Sequence, residues 1–115
     1  MNYIDGFVAA VPVGNKNAYL EMARLMADMC AENGALKTVE NWAEDVPDGE
    51  LTSFPLAVKR QDGEAIIFSW IVWPSKVIRD RAWDVMRGDE RMAQMSMPFD
   101  GKRLIYGGFE TILEV

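Results

Sequence analysis

Histidine is absent from this chain, and cysteine occurs once, at Cys30. The absence of histidine excludes Ser-His-Asp and Cys-His catalysis, an axial histidine for haem and a histidine-ligated zinc site within one chain. A lone cysteine forms no disulfide within the chain, and eight methionines without a disulfide framework suit a reducing interior. We therefore predict a cytoplasmic protein that holds no metal, and we expect it to work without a cofactor.

Long apolar runs and an excess of basic residues are missing as well. The longest apolar run, Ala65 to Pro74, is interrupted by Ser69 and is far shorter than the roughly 20 residues that cross a bilayer. The N-terminal residues include no basic segment and carry Asp5 where a signal peptide is uninterruptedly apolar. The net charge of −6 repels phosphate backbones and anionic membrane surfaces. We predict neither a membrane segment nor nucleic-acid binding.

The remaining composition is that of a packed domain. Of the 115 residues, 50% are hydrophobic and 26% are charged, which is too apolar a balance for a disordered chain. Neither an internal repeat nor a low-complexity tract is present. The length is that of one domain, so we predict a single domain that spans residues 1–115.

Apolar patterns and turn residues predict alternating strands and helices. The predicted elements are strand Tyr3 to Val11, helix Lys16 to Asn33, strand Leu36 to Ala43, strand Phe54 to Arg60, strand Glu64 to Trp73, helix Lys76 to Arg87, a helical turn from Asp89 to Met95, and strand Leu104 to Leu113. Asn15 and Ser75 are expected to cap the two long helices, and Asp62-Gly63 to form a hairpin turn. This order is typical of the ferredoxin-like βαββαβ unit, an α+β fold in which an antiparallel sheet carries both helices on one face.

The strand from Ala65 to Trp73 is apolar on both of its faces. Alternate residues of a strand point to opposite sides of the sheet, so its residues divide into two sets. One set is Ile66, Phe68, Trp70 and Val72, and the other is Ala65, Ile67, Ser69, Ile71 and Trp73. A sheet face open to water would carry polar residues, so the face away from the helices is expected to be covered too. A second copy of the chain is the simplest cover, and we predict a homodimer.

Three strings carry a resemblance to a known family: YIDGF from Tyr3, FSWIV from Phe68, and MPFDGKRLIYGGFE from Met97 to Glu110. Through them the chain resembles, over essentially its whole length, the YbaA-like family of uncharacterised bacterial proteins in the dimeric α/β-barrel superfamily. The resemblance implies a ferredoxin-like protomer whose sheet packs against a partner's sheet to close a barrel. Relatives in the superfamily include cofactor-free quinol monooxygenases, isomerases of the muconolactone type, and haem enzymes whose axial histidine this chain lacks.

Two carboxylates stand in apolar strands and are the candidate catalytic residues. Asp5 is flanked by apolar neighbours, where an unpaired charge is costly to bury and tends to bind a partner or to shift its pKa. It is either an acid, base or ligand anchor at a cavity, or a structural carboxylate that binds backbone amides or Arg103. Glu40 lies between Val39 and Trp42 and is either a second such group or a partly solvated edge residue.

Trp70, Arg103 and Tyr106 are the candidate ligand-binding residues. Trp70 and Tyr106 are predicted to line an aromatic pocket for a planar ligand, or else to lie in the core or the dimer interface. Arg103 belongs to a turn that either orients an anionic or planar substrate or simply packs as a loop. The Gly107-Gly108 pair within the last strand indicates a bulge or close backbone packing.

Two hypotheses of function follow from these residues. The first is a protein that binds a small planar or aromatic metabolite, with cofactor-independent monooxygenase or isomerase chemistry as its enzymatic form. The second is a dimeric interaction or structural module without catalysis, whose buried polar residues only fix the register of the fold. A solvent-connected pocket above about 300 Å³ with Asp5 or Glu40 exposed in it favours the first, and a filled core favours the second.

Overall fold

A computed structural model describes all residues, 1–115, and has a four-stranded sheet at its centre. The strands and helices are β1 Tyr3–Pro12, α1 Lys16–Glu32, β2 Lys37–Trp42, α2 Phe54–Ala57, β3 Glu64–Trp73, α3 Lys76–Arg87, α4 Glu90–Gln94 and β4 Ile105–Glu110, with short 3-10 turns at Val13–Asn15 and Gly101–Arg103. None of the helices combines the length and the apolar character that spanning a membrane requires.

The sheet has the strand order β2-β3-β1-β4, and every neighbouring pair is antiparallel. The two central strands pair along their whole length, from Tyr3 opposite Trp73 to Pro12 opposite Glu64. With α1 and α3 on the same side, this arrangement confirms the predicted ferredoxin-like α+β fold. Within one chain the sheet is open, with β2 and β4 as its edges, and does not close into a barrel.

The main core lies between the sheet and its two long helices, on the side that we call the helix face. Its central cluster combines two residues from each of three elements, namely Met29 and Cys30 of α1, Ile71 and Trp73 of β3, and Ala82 and Met86 of α3. A second cluster at the other end of the helix face contains Val11, Tyr19, Ala23 and Ile67. Burial of a large apolar side chain contributes about 1.5–3 kcal/mol, so these contacts hold both helices to the sheet.

The helix ends follow the sequence signals with one exception. The Ser75 hydroxyl accepts the amide of Ile78 at 3.2 Å and caps α3, as predicted. Gly34, just past α1, has a φ of +106°, the left-handed conformation that favours glycine. The capping role expected of the Asn15 side chain is wrong, because its Nδ2 instead donates to the Pro98 carbonyl at 2.9 Å. Asn15 therefore ties the start of α1 to the loop before β4.

The strand expected over Phe54 to Arg60 is wrong, because this segment begins with the short helix α2. Ser53 accepts the amide of Leu56 at 3.0 Å, and Pro55 occupies the first turn. Proline has no N–H to give to a sheet ladder and its fixed φ suits the first turn of a helix, so both residues favour a helix start. Gly63 does form a turn, with a φ of +82°, just before β3. The turn does not join two strands, so the predicted hairpin at Asp62-Gly63 is wrong.

The side of the sheet away from α1 and α3, the far face, is covered over only part of its area. Val58, which follows α2 and is 1% exposed, packs on the inner residues of β1 and β3 there. The rest of the far face is open and apolar, with Phe68 at 45%, Ile105 at 43% and Phe109 at 62% exposed. The chain thus supplies one part of the cover that the sequence led us to expect, and leaves the other part exposed.

Candidate functional site

Asp5 of β1 is 3% exposed and both of its carboxylate oxygens are hydrogen-bonded. Oδ2 accepts the indole N–H groups of Trp73 at 2.9 Å and Trp83 at 2.8 Å. Oδ1 accepts Nη2 of Arg79 at 2.7 Å and Nε at 3.0 Å. Charge-assisted bonds of this kind offset the cost of burying a carboxylate. The cationic partner of Asp5 is therefore Arg79. The sequence alternative that paired Asp5 with Arg103 is wrong.

Tyr3 of β1 and Gly108 of β4 lie against the Arg79 guanidinium. The ring of Tyr3 lies 5.3 Å from it in a cation–π contact. Gly108 of β4 pairs directly with Asp5, and a Cβ there would lie 2.5 Å from the Tyr3 hydroxyl and 2.9 Å from Arg79 Nη2. The register runs without interruption through Gly107 and Gly108, so close packing, and not a bulge, explains the glycine at position 108.

The Asp5–Arg79 pair also sets the electrostatics of its surroundings. Hydrogen bonds to Asp5 raise the pKa of Arg79 above its ordinary value, which keeps the guanidinium charged. Burial, followed by the charge of Asp5, raises the pKa of the Cys30 thiol to about 12. A thiol with such a pKa forms almost no thiolate at neutral pH, so Cys30 acts as a packing residue.

A solvent-connected cavity of about 510 Å³ opens beside this pair on the helix face. Asp5 and Arg79 form part of its lining. Seven of its twelve lining residues are apolar, namely Phe7, Met26, Trp83, Met92, Met97, Leu104 and Tyr106. Small-molecule sites have volumes of about 300–1,000 Å³, mostly apolar walls and a few convergent polar groups. The cavity has each of these features, and Tyr106 is the predicted ligand-binding residue that lies in it.

Glu40 lies on the helix face of the edge strand β2, opposite Ser69 and outside this cavity. Its Oε1 accepts the Tyr19 hydroxyl at 2.6 Å. Burial raises the pKa of Glu40, while the hydrogen bonds from Tyr19 and Ser69 oppose that rise. Burial and the bond to Glu40 raise the pKa of Tyr19 as well. One strand, β3, lies between the strands of Glu40 and Asp5, so the two predicted catalytic carboxylates belong to different environments.

Arg103 and Trp70 lie away from the Asp5 cavity. Arg103 binds both carboxylate oxygens of Glu64, Nη1 to Oε1 at 2.8 Å and Nη2 to Oε2 at 2.7 Å, and its Nε bonds Asp100 at 3.0 Å. It thereby fastens the loop before β4 to the start of β3 and lowers the pKa of Glu64. Trp70 lies on the far face, in a shallow cavity of about 540 Å³ that Ile4 also lines.

Comparison with known proteins identifies the family. Residues 2–101 match the family described as "Protein of unknown function (DUF1428)". The chain belongs to the DUF1428 family. It is 55% identical over 116 residues to the uncharacterized protein YbaA of Escherichia coli (strain K12), and the match covers 99% of both chains. The YbaA proteins of Escherichia coli O157:H7 and Shigella flexneri match with the same identity and coverage. The resemblance to the YbaA-like family of uncharacterised proteins is confirmed.

The comparison also shows how the site is distributed over this DUF1428 chain. Residues 2–101, the part that matches the family, include Asp5, Arg79 and Trp83, whereas Tyr106 and Gly108 follow that part. The relatives from Escherichia coli and Shigella flexneri cover 99% of the chain and therefore extend over β4 as well.

The sequence prediction missed Arg79 and Trp83, the two residues of α3 that bind Asp5. A usable signal was present, because Arg79, Trp83 and the buried Ala82 and Met86 recur at helical steps of three and four. A cation on the buried stripe of a helix needs an anionic partner, and Asp5 is the buried carboxylate in the strand that α3 covers. Among the described residues, no three His, Cys, Asp or Glu side chains are grouped closely enough to hold a metal.

Proposed function

We propose that this chain is a small-molecule-binding protein that acts as a homodimer in the cytoplasm. Its ligand is a planar or aromatic metabolite, held in the cavity that Asp5 and Arg79 help to line. The observation that carries the proposal is the cavity itself, about 510 Å³ in volume, open to solvent and lined mainly by apolar side chains. The cytoplasmic location rests on the buried, unpaired Cys30.

The Asp5–Arg79 pair supports a binding site because it makes the wall rigid. Arg79 is bonded at all three of its nitrogens, to Asp5 through Nε and Nη2 and to Asp80 through Nη1 at 2.9 Å. Side chains locked by several hydrogen bonds lose little freedom when a ligand arrives, so they add little entropic cost to binding. The apolar side of the cavity contains methionines, which adapt their shape to the ligand.

The same bonds favour a positioning role for Asp5 over a proton-transfer role. Cofactor-independent monooxygenase or isomerase chemistry needs a group that can exchange a proton with the ligand. Asp5 lines the cavity, but its two oxygens already accept four close bonds from Trp73, Arg79 and Trp83. We therefore propose that Asp5 orients Arg79 and the two indoles, and that the primary function of the cavity is binding.

The homodimer is proposed from the open part of the far face. The side chains of Phe68 and Phe109 both point to the far face, where they are 45% and 62% exposed. A contiguous exposed patch of this kind is typical of a protein–protein interface. A second copy of the same sheet would cover it, in the arrangement that the family resemblance implies.

The second candidate function is an interaction module with no ligand of its own. The saturated hydrogen bonding of Asp5 favours it, because a fully satisfied buried network can serve only to fix the register of the strands and α3. In that case the cavity would have no occupant.

Native mass spectrometry of the protein purified from its own source separates the two candidates. We expect one small molecule to be retained per protomer in the wild type. Leu104→Trp, which fills the cavity, should lose it, and Leu20→Trp on the exposed surface of α1 should keep it. If both variants retain the small molecule, it does not bind in the Asp5 cavity. If the wild type carries no bound molecule, the interaction module is favoured.

A further inference from the structure

We propose that the ligand of the Asp5 cavity is an uncharged aromatic molecule, an inference that rests on the binding function proposed above. The geometry that points to it is the pairing of the charged residues around the cavity. Five of the lining residues carry a formal charge, namely Asp5, Arg79, Asp80, Asp84 and Arg87. Together they sum to one net negative charge.

Both cations in the lining are paired with aspartates, and Arg79 has no nitrogen left for an anionic ligand. Arg79 uses Nε and Nη2 on Asp5 and Nη1 on Asp80. Arg87 is bonded through Nη1 to Asp84, one turn earlier in α3. Arg87 is largely exposed at the rim, so a carboxylate or phosphate inside the cavity would meet a net negative lining and would have to displace Asp5 or Asp80 to bond Arg79.

A cationic ligand is disfavoured for the matching reason. Asp5 has its oxygens occupied by Arg79 and the two indoles, and Asp80 is bonded to Lys76 at 2.6 Å as well as to Arg79. Asp84, the third acid of the lining, is largely exposed and paired with Arg87, so an ammonium group would lose its hydration in the apolar cavity without gaining an unoccupied buried carboxylate. Burying an unpaired charge is far more costly than burying a neutral group of the same shape.

The apolar lining favours an aromatic body over an aliphatic one. Met26, Met92 and Met97 reach the cavity from α1, α4 and the following loop, and Phe7 and Trp83 face it from β1 and α3. Contacts of a thioether with an aromatic ring and contacts between two rings are both favourable beyond the burial of apolar area. With Tyr106, three sulfurs and three rings thus surround one cavity and favour a ligand that is itself a ring.

Three probes that share the naphthalene ring system and differ in charge test the proposal. They are 1-naphthol, 1-naphthoate and 1-naphthylmethylammonium, titrated at neutral pH into the full chain labelled with ¹³C at its methionine methyls. We expect 1-naphthol to shift the methyl signals of Met26, Met92 and Met97, assigned from Met→Leu variants. The Met22 signal should not move, because Met22 packs against the separate Val11–Tyr19 cluster. Naphthol should bind at least tenfold more tightly than either charged probe.

A pair of charge-introducing variants gives an independent arm. Met97→Glu places an unpaired carboxylate in the cavity and should weaken naphthol binding at least tenfold, whereas Val77→Glu, on the exposed side of α3, should leave it unchanged.

The outcomes distinguish this inference from the proposed function. Naphthoate that binds as tightly as naphthol, with the affinity lost in Arg87→Gln, would overturn the uncharged ligand while leaving a binding protein. Tightest binding of the ammonium probe would do the same. If no probe moves the three cavity methyls, both the inference and the proposed binding function are rejected.

Discussion

Gly108 faces Asp5 across the β1–β4 ladder, and the space that a side chain at position 108 would need is occupied by the Tyr3 hydroxyl and the Arg79 guanidinium. The neighbouring Gly107 has no such constraint, since a Cβ there would meet only the Phe109 ring, at 3.5 Å or more. The close approach at Gly108 is thus specific to the strand position that pairs with the buried carboxylate.

We expect Gly108→Ala to destabilise the protein more than Gly107→Ala. The added methyl must displace Tyr3 or Arg79, and overpacking of this kind costs about 1–3 kcal/mol. Denaturant unfolding of the two variants measures the difference directly. Equal losses of stability would show that the Tyr3–Arg79 arrangement yields without cost.

Asp5→Asn should lower the free energy of unfolding by about 2–4 kcal/mol, because it leaves the Arg79 charge without its bidentate partner. Asp80→Asn removes a partly exposed partner of the same arginine and should lower stability much less than Asp5→Asn does. Thermal melts with and without ligand distinguish a structural role of Asp5 from a direct role in ligand binding or chemistry. A melting temperature that stays within a few degrees while ligand binding disappears would instead support Asp5 as a chemical group.

Glu40 and Glu64 should affect stability with opposite pH dependence. The folded pKa of Glu40 is raised above its ordinary 4.5, chiefly by burial, so its contribution is largest below pH 4.5 and is lost as the pH rises through the raised value. The pKa of Glu64 is lowered from 4.5, chiefly by Arg103, so its contribution is present above pH 4.5 and is lost as the pH falls through the lowered value.

Unfolding free energies of Glu40→Gln and Glu64→Gln, each compared with the wild type across acidic pH, measure both effects. On raising the pH, the wild type should lose stability relative to Glu40→Gln and gain it relative to Glu64→Gln. If the stability difference between wild type and variant changes with pH in the same direction for both variants, the environments assigned to Glu40 and Glu64 are wrong.

Cys30 should be inert in the native protein, because it is fully buried and its pKa is raised to about 12. We expect a thiol-specific disulfide reagent at pH 8 to label it only as fast as the chain unfolds, and rapidly in denaturant. Asp5→Asn removes the nearby negative charge and should lower the thiol pKa. Rapid stoichiometric labelling of the folded wild type would show that Cys30 is accessible to the reagent and would contradict the prediction.

The protein should sediment as a homodimer at micromolar concentration, because the exposed part of the far face is apolar. Phe68→Glu and Phe109→Glu place charges in the expected interface and should each shift the equilibrium towards the monomer. Leu20→Glu, at a half-exposed position of α1 on the opposite side, is the matched control. A monomeric wild type would reject the dimeric arrangement.

Local sequence patterns predicted most of the helices and strands because each pattern is written within a few neighbouring residues. The helix Lys76–Arg87 was predicted with its observed ends, since Ser75 and Gly88 mark them. The prediction is wrong at Phe54 to Arg60, where the helix-start signals of Ser53 and Pro55 outweigh the strand preference of the apolar residues. The cover that Val58 provides for the far face was missed with it.

The sequence by itself determined the α+β fold and the apolar character of both sides of β3, and it singled out Asp5 as a buried carboxylate. Only the tertiary structure decided that Arg79 neutralises Asp5, that Arg103 binds Glu64, and that a cavity opens beside the first pair. The physical reason is distance along the chain. Asp5 and Arg79 are 74 residues apart, and their contact exists only because α3 packs on the sheet in one position among the many that the helical pattern allows.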